Sequence, residues 1–130
     1  NLYSFPYACL DPCRGGEQPS AVEFANAFAD RYGSRIINTY PLLGYDTMTV
    51  LADAIEAAGS TDGAAIVKAL EEEGGWQTTT GEVEFSARCH KPIRRPHPIV
   101  EYQDGKAKQI GTFRATEIAD IGTESGCFDE

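Results

Sequence analysis

Several features are scarce or missing in these 130 residues. No apolar run approaches the roughly 18 residues that a membrane-spanning helix needs, which excludes such a helix. Basic residues are few, 11 against 20 acidic ones, and the net charge is −9. Such a chain repels phosphate backbones, so no nucleic-acid partner is expected. There is no C-x2-C pair of the kind that zinc ribbons use. A phosphate-binding loop is absent, because no glycine stands at the required distance before a Gly-Lys pair. Gly122-Thr123-Glu124-Ser125-Gly126 places its serine one position late for a nucleophile elbow. No internal repeat or low-complexity tract occurs.

What is present is the composition of a soluble globular chain, 42% hydrophobic and 24% charged, in the size range of one domain. The chain starts at Asn1 without an initiator Met or a signal peptide and runs at once into Leu2-Tyr3-Ser4-Phe5-Pro6-Tyr7. A mature secreted protein, a proteolysed chain or a cloned piece would begin this way.

Four cysteines, Cys9, Cys13, Cys89 and Cys127, allow three pairings. Pro12 favours a turn that brings Cys9 to Cys13, leaving Cys89 and Cys127 to tie the tail to the body. The alternative is four unpaired thiols in a cytosolic protein. The disulfide reading implies an extracytoplasmic address.

Residues 2–8 read as an aromatic-rich strand ended by a Pro-Cys-Arg-Gly-Gly loop. Ser20-Ala21-Val22-Glu23 matches a capping box, and Val22, Ala25, Phe28 and Tyr32 follow on one helical face until Gly33. Pro41 suits the first turn of a second helix, with Leu43, Thr47, Val50, Leu51, Ala54, Ile55 and Ala58 on one stripe and Gly59 at its end. Thr61 or Asp62 caps a third helix that buries Ala65, Ile66, Ala69 and Leu70. Glu71, Glu72 and Glu73 oppose its dipole, so its C-terminal end is expected to fray. Glu82-Val83-Glu84-Phe85 alternates as a strand, residues 88–96 read as a basic loop, and residues 98–102 and 106–113 make strands around the turn signal Asp104-Gly105. The tail from residue 116 is acidic and weakly ordered.

Candidate chemistry is thin. Cys89-His90 would serve as nucleophile and base only if the backbone folded two adjacent side chains together. Cys89, His90, His97 and Cys127 could bind zinc on residue type alone, against the simpler reading of a disulfide and two loop histidines. Arg88, Lys91, Arg94 and Arg95 could hold an anion or dock a partner, or form a solvated loop. Tyr40 and Tyr45 flank the start of the second helix, where aromatic residues line a cleft or simply pack.

The order of elements is more specific than any site. Leu43-Gly44-Tyr45-Asp46-Thr47-Met48-Thr49-Val50-Leu51-Ala52-Asp53-Ala54-Ile55-Glu56-Ala57-Ala58-Gly59-Ser60-Thr61-Asp62 resembles a segment of the periplasmic substrate-binding proteins of branched-chain amino-acid ABC transporters. In that family a Gly-Tyr-Asp helix ends in Ala-Gly-Ser and precedes an Asp-capped Ala-Ile-x-x-Ala-Leu helix, here Ala65-Ile66-Val67-Lys68-Ala69-Leu70. Thr80-Gly81-Glu82-Val83-Glu84-Phe85 resembles its Thr-Gly strand, Asp104-Gly105-Lys106 its late hairpin, and residues 24–33 its preceding Tyr-Gly helix. The likeness covers about residues 1–113. Phe85-Ser86-Ala87-Arg88-Cys89-His90 departs from the common Asp-x-x-Gly turn. Whole family members are also well over twice this length.

The resemblance implies an α/β chain that is the C-terminal part of a type I periplasmic-binding two-lobe fold. Its parts would be three helices, a lobe-crossing strand, the Thr-Gly strand and a C-terminal β-hairpin. Residues 1–8 and 97–113 would supply strands of the second lobe, residues 20–86 the helices and strand of the first, and residues 114–130 a tail. The implied function is solute binding for an ABC importer of branched-chain amino acids or related amino or carboxylic compounds, by cleft closure, without chemistry or cofactor. Its partners would be the small-molecule ligand, the membrane permease and the remainder of the binding protein. The address would be periplasmic or extracellular, with a lipoprotein anchor as one form. Tyr40 matches the position where the family sets an aromatic against the ligand side chain, and Tyr7 and Phe5 on the crossing strand are further candidates. A piece without its partner strands is expected to self-associate. A ligand-sensing domain of a receptor or regulator would share the fold, and a small extracellular Cys/His enzyme is the remaining alternative.

Overall fold

The computed structural model describes residues 2–4, 13–14, 18–36, 38–87, 89–93 and 96–114, with the backbone alone for residues 4, 13–14, 89, 91–93 and 114. Helices α1 (Pro19–Tyr32), α2 (Tyr40–Ala58) and α3 (Gly63–Glu72) arise where the sequence places them, and their ends follow local chemistry. Gly33 and Gly59 stop α1 and α2 at φ 67° and 58°, with their amides donating to the carbonyls of Ala29 and Glu56. Asp62 caps α3, accepting the amides of Ala64 and Ala65 at 3.1 Å each.

The capping box expected at Ser20 does not form. Gln18 is the N-cap and Pro19 takes the first turn, where a missing N–H is harmless. The Ser20 hydroxyl instead donates to the Thr79 carbonyl at 2.7 Å. The expected stripe of α1 is also displaced: Ala21 is its buried residue, packed with Leu42, Phe24 and Ile36, while Tyr32 is exposed. In α2 the buried positions are Leu42, Asp46, Val50 and Ala54. They share only Val50 and Ala54 with the expected stripe. Leu42-Leu43 and Val50-Leu51 are adjacent apolar pairs, and in a helix apolar on most sides the periodicity does not choose the face. The end of α3 expected to fray is held instead. Glu73 N–H reaches Ala69, and the Trp76 indole N–H donates to the Leu70 carbonyl at 3.1 Å.

Strands β1 (Leu2–Ser4), β2 (Cys13–Arg14), β3 (Trp76–Thr78), β4 (Gly81–Ser86), β5 (Cys89–Ile93), β6 (Pro96–Gln103) and β7 (Lys106–Arg114) form two sheets. One has the order β1-β6-β7-β2 and the other β3-β4-β5. All pairs are antiparallel except β2 with β7. The Asp104-Gly105 hairpin forms as expected, with φ 51° and 72°, both positive as a type I′ turn requires.

Two features depart from expectation. The backbone of residues 89–93, read from the sequence as loop, is an edge strand. Its register with β4 slips, so that Glu84 and Ser86 pair with Ile93 and Cys89, and Pro92 falls in this irregular stretch of an edge strand, a place where proline is tolerated. Strand β3 had no sequence expectation. It pairs with β4 across Thr79-Thr80, a two-residue turn without the Gly or Asn signature.

The main core joins four elements: Val50 and Ala54 of α2, Trp76 of β3 and Val83 of β4, with Ile66, Leu70 and Phe85 against them. The four-stranded sheet has a much smaller core, Val100 backed by Ala107.

Candidate functional site

A cleft of about 800 Å³ lies between α1 and α2 above β3 and the turn that follows it. Helical spacing brings Ser20, Glu23, Phe24, Ala27, Phe28 and Arg31 to one side of it, each three or four residues from the next turn's contribution. From α2 come Pro41, Gly44, Tyr45 and Thr49, and from β3 and its turn Gln77, Thr78 and Thr79. The Phe24 and Tyr45 rings bridge the two helices at 4.8 Å, tilted 42°. Phe28 continues the row to Phe24 at 6.2 Å and to Tyr32 at 4.6 Å. Tilted pairs of this kind suit the ring quadrupoles and form a firm aromatic wall.

The floor is fixed by Asp46, which is only 4% exposed. Its Oδ1 accepts the Thr79 amide at 2.8 Å and its Oδ2 the Thr79 hydroxyl at 3.1 Å. A buried carboxylate without such donors would be costly, so this aspartate and this turn require each other. The threonines complete the turn: Thr78 Oγ1 accepts the Thr80 amide at 3.3 Å and donates to the Gly81 carbonyl at 2.5 Å. The cleft can therefore offer aromatic contact and a few polar edges, with Glu23 and Arg31 as its ionic side chains besides Asp46.

The residues singled out from sequence fall as follows. Tyr40 is the first residue of α2, 75% exposed, one position before Pro41 of the cleft; its amide donates to Asn38 Oδ1. Tyr45 lines the cleft. Phe5, Tyr7, Cys9 and Cys127 lie outside the described residues, as do Arg88, Arg94 and Arg95. Cys13 and Cys89 are described in backbone only, so the proposed pairings fall outside the described side chains. His90 lies on β5 and pairs with Glu71 of α3 at 2.8 Å, whereas His97 lies on β6 of the other sheet. Among the described residues no three His, Cys, Asp or Glu side chains are grouped to hold a metal ion. Asp46 and Thr79 were not anticipated as a pair; the only signals were the place of Asp46 in the Gly-Tyr-Asp motif and that of Thr79 one residue before the Thr-Gly strand.

The family model of periplasmic binding proteins matches residues 9–107 of the chain. No curated protein matches it. Among solved structures, an ABC-type branched-chain amino acid transporter from Rhodopseudomonas palustris CGA009 is similar at a TM-score of 0.67 and 15% identity, over 87% of this chain and 30% of that one. A leucine-binding protein from Thermotoga maritima MSB8 is similar at 0.58 and 23% identity, over 75% of this chain and 27% of its own. The solute-binding protein of an ABC transporter from Rhodopseudomonas palustris BisB5, in complex with 3,4-dihydroxybenzoic acid, gives 0.58 and 23%, over 73% and 27%. The chain thus spans less than a third of the length of each. With three-quarters of its residues inside the family match and the type I periplasmic-binding fold shared with these structures, the chain belongs to the periplasmic binding proteins.

Proposed function

We propose that this chain is the C-terminal part of a two-lobe solute-binding protein that delivers a small amino or carboxylic compound, a branched-chain amino acid or a close relative, to an ABC importer. The observation that carries this reading is the family match over residues 9–107, joined to a set of neighbours that are solute-binding or branched-chain amino-acid transport proteins. Two structural features support it. Strands β1, β6 and β7 share a sheet that excludes β3, β4 and β5, in keeping with residues 1–8 and 97–113 serving one lobe and residues 20–86 the other. Helix α2 also leaves Tyr45, Met48 and Leu51 exposed opposite its buried face, an apolar surface suited to covering by the rest of such a protein.

In this reading ligand is held by lobe closure and released unchanged to a membrane permease, in the periplasm, with no enzymatic step and no cofactor. Exposed Tyr40, at the N-terminal end of α2, would meet the ligand side chain, with Tyr7 and Phe5 as further contacts. The test is a thermal-shift series on the whole protein containing this chain, with leucine, valine and 3,4-dihydroxybenzoate as probes. A ligand at a hundred times its Kd stabilises by about 2.7 kcal/mol, which a melting curve resolves. Mass spectrometry of the recovered probe should return it unaltered. No shift with any probe, or a converted probe, overturns the reading.

A further inference from the structure

Helix α1 presents two parallel stripes to the cleft, and they differ in chemistry. One is aromatic: Phe24 and Phe28 lie one turn apart, with ring centroids at 6.2 Å, and Tyr32 continues the row at 4.6 Å. The other, displaced by one residue, is Glu23, Ala27 and Arg31, an acid and a base with a small residue between them. Across the cleft α2 contributes Tyr45, whose ring meets Phe24 at 4.8 Å. Its one carboxylate in the lining, Asp46, is committed to Thr79 through both oxygens. Among the described residues neither Glu23 nor Arg31 has an ion-pair partner. A surface of rings thus runs between a negative end and a positive end.

Those features select a ligand. Arg31 favours an anionic group, while Glu23 disfavours a ligand that is anionic only, so the complementary molecule carries both charges with a ring beside them. The two side chains leave α1 eight positions apart, about 12 Å along the axis. A charge-assisted hydrogen bond at each end takes up about 2.8 Å. The ligand charges must then stand about 6 Å apart, close to the length of two residues of extended chain. In a free amino acid both charges flank a single carbon, too close together to serve both ends. The volume of about 800 Å³ lies in the range of small-molecule sites. We propose that the cleft between α1 and α2 binds a short zwitterionic peptide, of two or three residues, one of them aromatic. Its ring packs on Phe24, Phe28 and Tyr45, its ammonium faces Glu23 and its carboxylate faces Arg31. This site goes beyond the transport reading: its walls belong to α1, α2, β3 and the turn after β3, and Tyr40 is outside its lining.

The test is calorimetric titration of the whole protein containing this chain with phenylalanyl-alanine and alanyl-phenylalanine. At least one is expected to bind more tightly than phenylalanine, leucine or dialanine. Acetylating its N-terminus or amidating its C-terminus should each weaken it about tenfold, as loss of a hydrogen bond to a charged group does. Arg31→Gln should weaken the free dipeptide by the same factor and the amidated one no further. Glu23→Gln should do the same for the free and the acetylated forms. Both positions are exposed, so the variants are expected to keep the parent melting temperature. No heat from either dipeptide up to millimolar concentration overturns the proposal. So does a phenylalanine affinity above theirs, or dipeptide binding that ignores both substitutions. The transport reading stands or falls on the leucine, valine and dihydroxybenzoate shifts, whichever way the dipeptides behave.

Discussion

The helical half and the four-stranded sheet are built to different standards. In the first, α2, α3, β3 and β4 all contribute to one cluster around Val50, Ala54, Trp76 and Val83. In the second, long antiparallel pairing joins β6 to β7, but among the described residues its apolar cluster is Val100 with Ala107 packed against it. Strand pairing satisfies backbone groups, yet a sheet needs a covered apolar face to be stable by itself. The contrast teaches that ladder length and core size are separate quantities: among the described residues the longest ladder, β6 with β7, carries a smaller apolar cluster than the one the short strands β3 and β4 join. Trp76→Ala tests this most severely. It empties the largest side chain from the cluster and frees the Leu70 carbonyl, so a loss of about 3–5 kcal/mol is expected in urea unfolding followed by circular dichroism. Hydrogen exchange should quicken in α2 and α3 while β6 and β7 keep their rates. Equal acceleration in both would break the distinction between the halves.

Asp46→Ala should come next, at about 2–4 kcal/mol, because it strands a buried amide and hydroxyl of Thr79 together. The single tryptophan provides the fluorescence signal for its unfolding curve. A loss below about 1 kcal/mol would show that water replaces the carboxylate and that the turn is less enclosed than its burial implies. Val100→Ala reads the other half. At about 0.8 kcal/mol per buried methyl or methylene group, its cost should be about 1–2 kcal/mol. A cost as large as that of Trp76→Ala would mean that the sheet is covered more thoroughly than its own residues show.

The same contrast marks what could be seen beforehand. The three helices, the β4 alternation and the Asp104-Gly105 hairpin were legible because each is announced locally, by a cap, a period or a turn residue. Strand β5 was not, since Pro92 and the basic residues around it argue for a loop unless a bulged edge is available to receive them. Strand β3 was missed because its turn is held by Asp46 from 33 positions away rather than by glycine or asparagine. For the same reason the site was only half legible. Tyr45 stood out as an aromatic at the start of a helix, but its partner Phe24 and the floor at Thr79 are joined to it by tertiary contact alone. Ser20 shows the limit of motif reading: the capping pattern is present, Pro19 makes it unnecessary, and the hydroxyl serves a distant carbonyl instead.

The smallest expected effect concerns the edge of the helical half. His90 of β5 meets Glu71 of α3 at 2.8 Å, with the histidine side chain 72% exposed and the glutamate 20%. A hydrogen bond open to solvent on one side contributes about 1 kcal/mol or less, because water competes for both groups and two side chains must be held still. His90→Ala should therefore change the urea midpoint little. If the substitution instead costs as much as Val100→Ala, β5 is anchored to α3 through this pair rather than through its ladder with β4. The bulged edge strand would then owe its place to one side-chain contact, and the compactness of the helical half would end at β4.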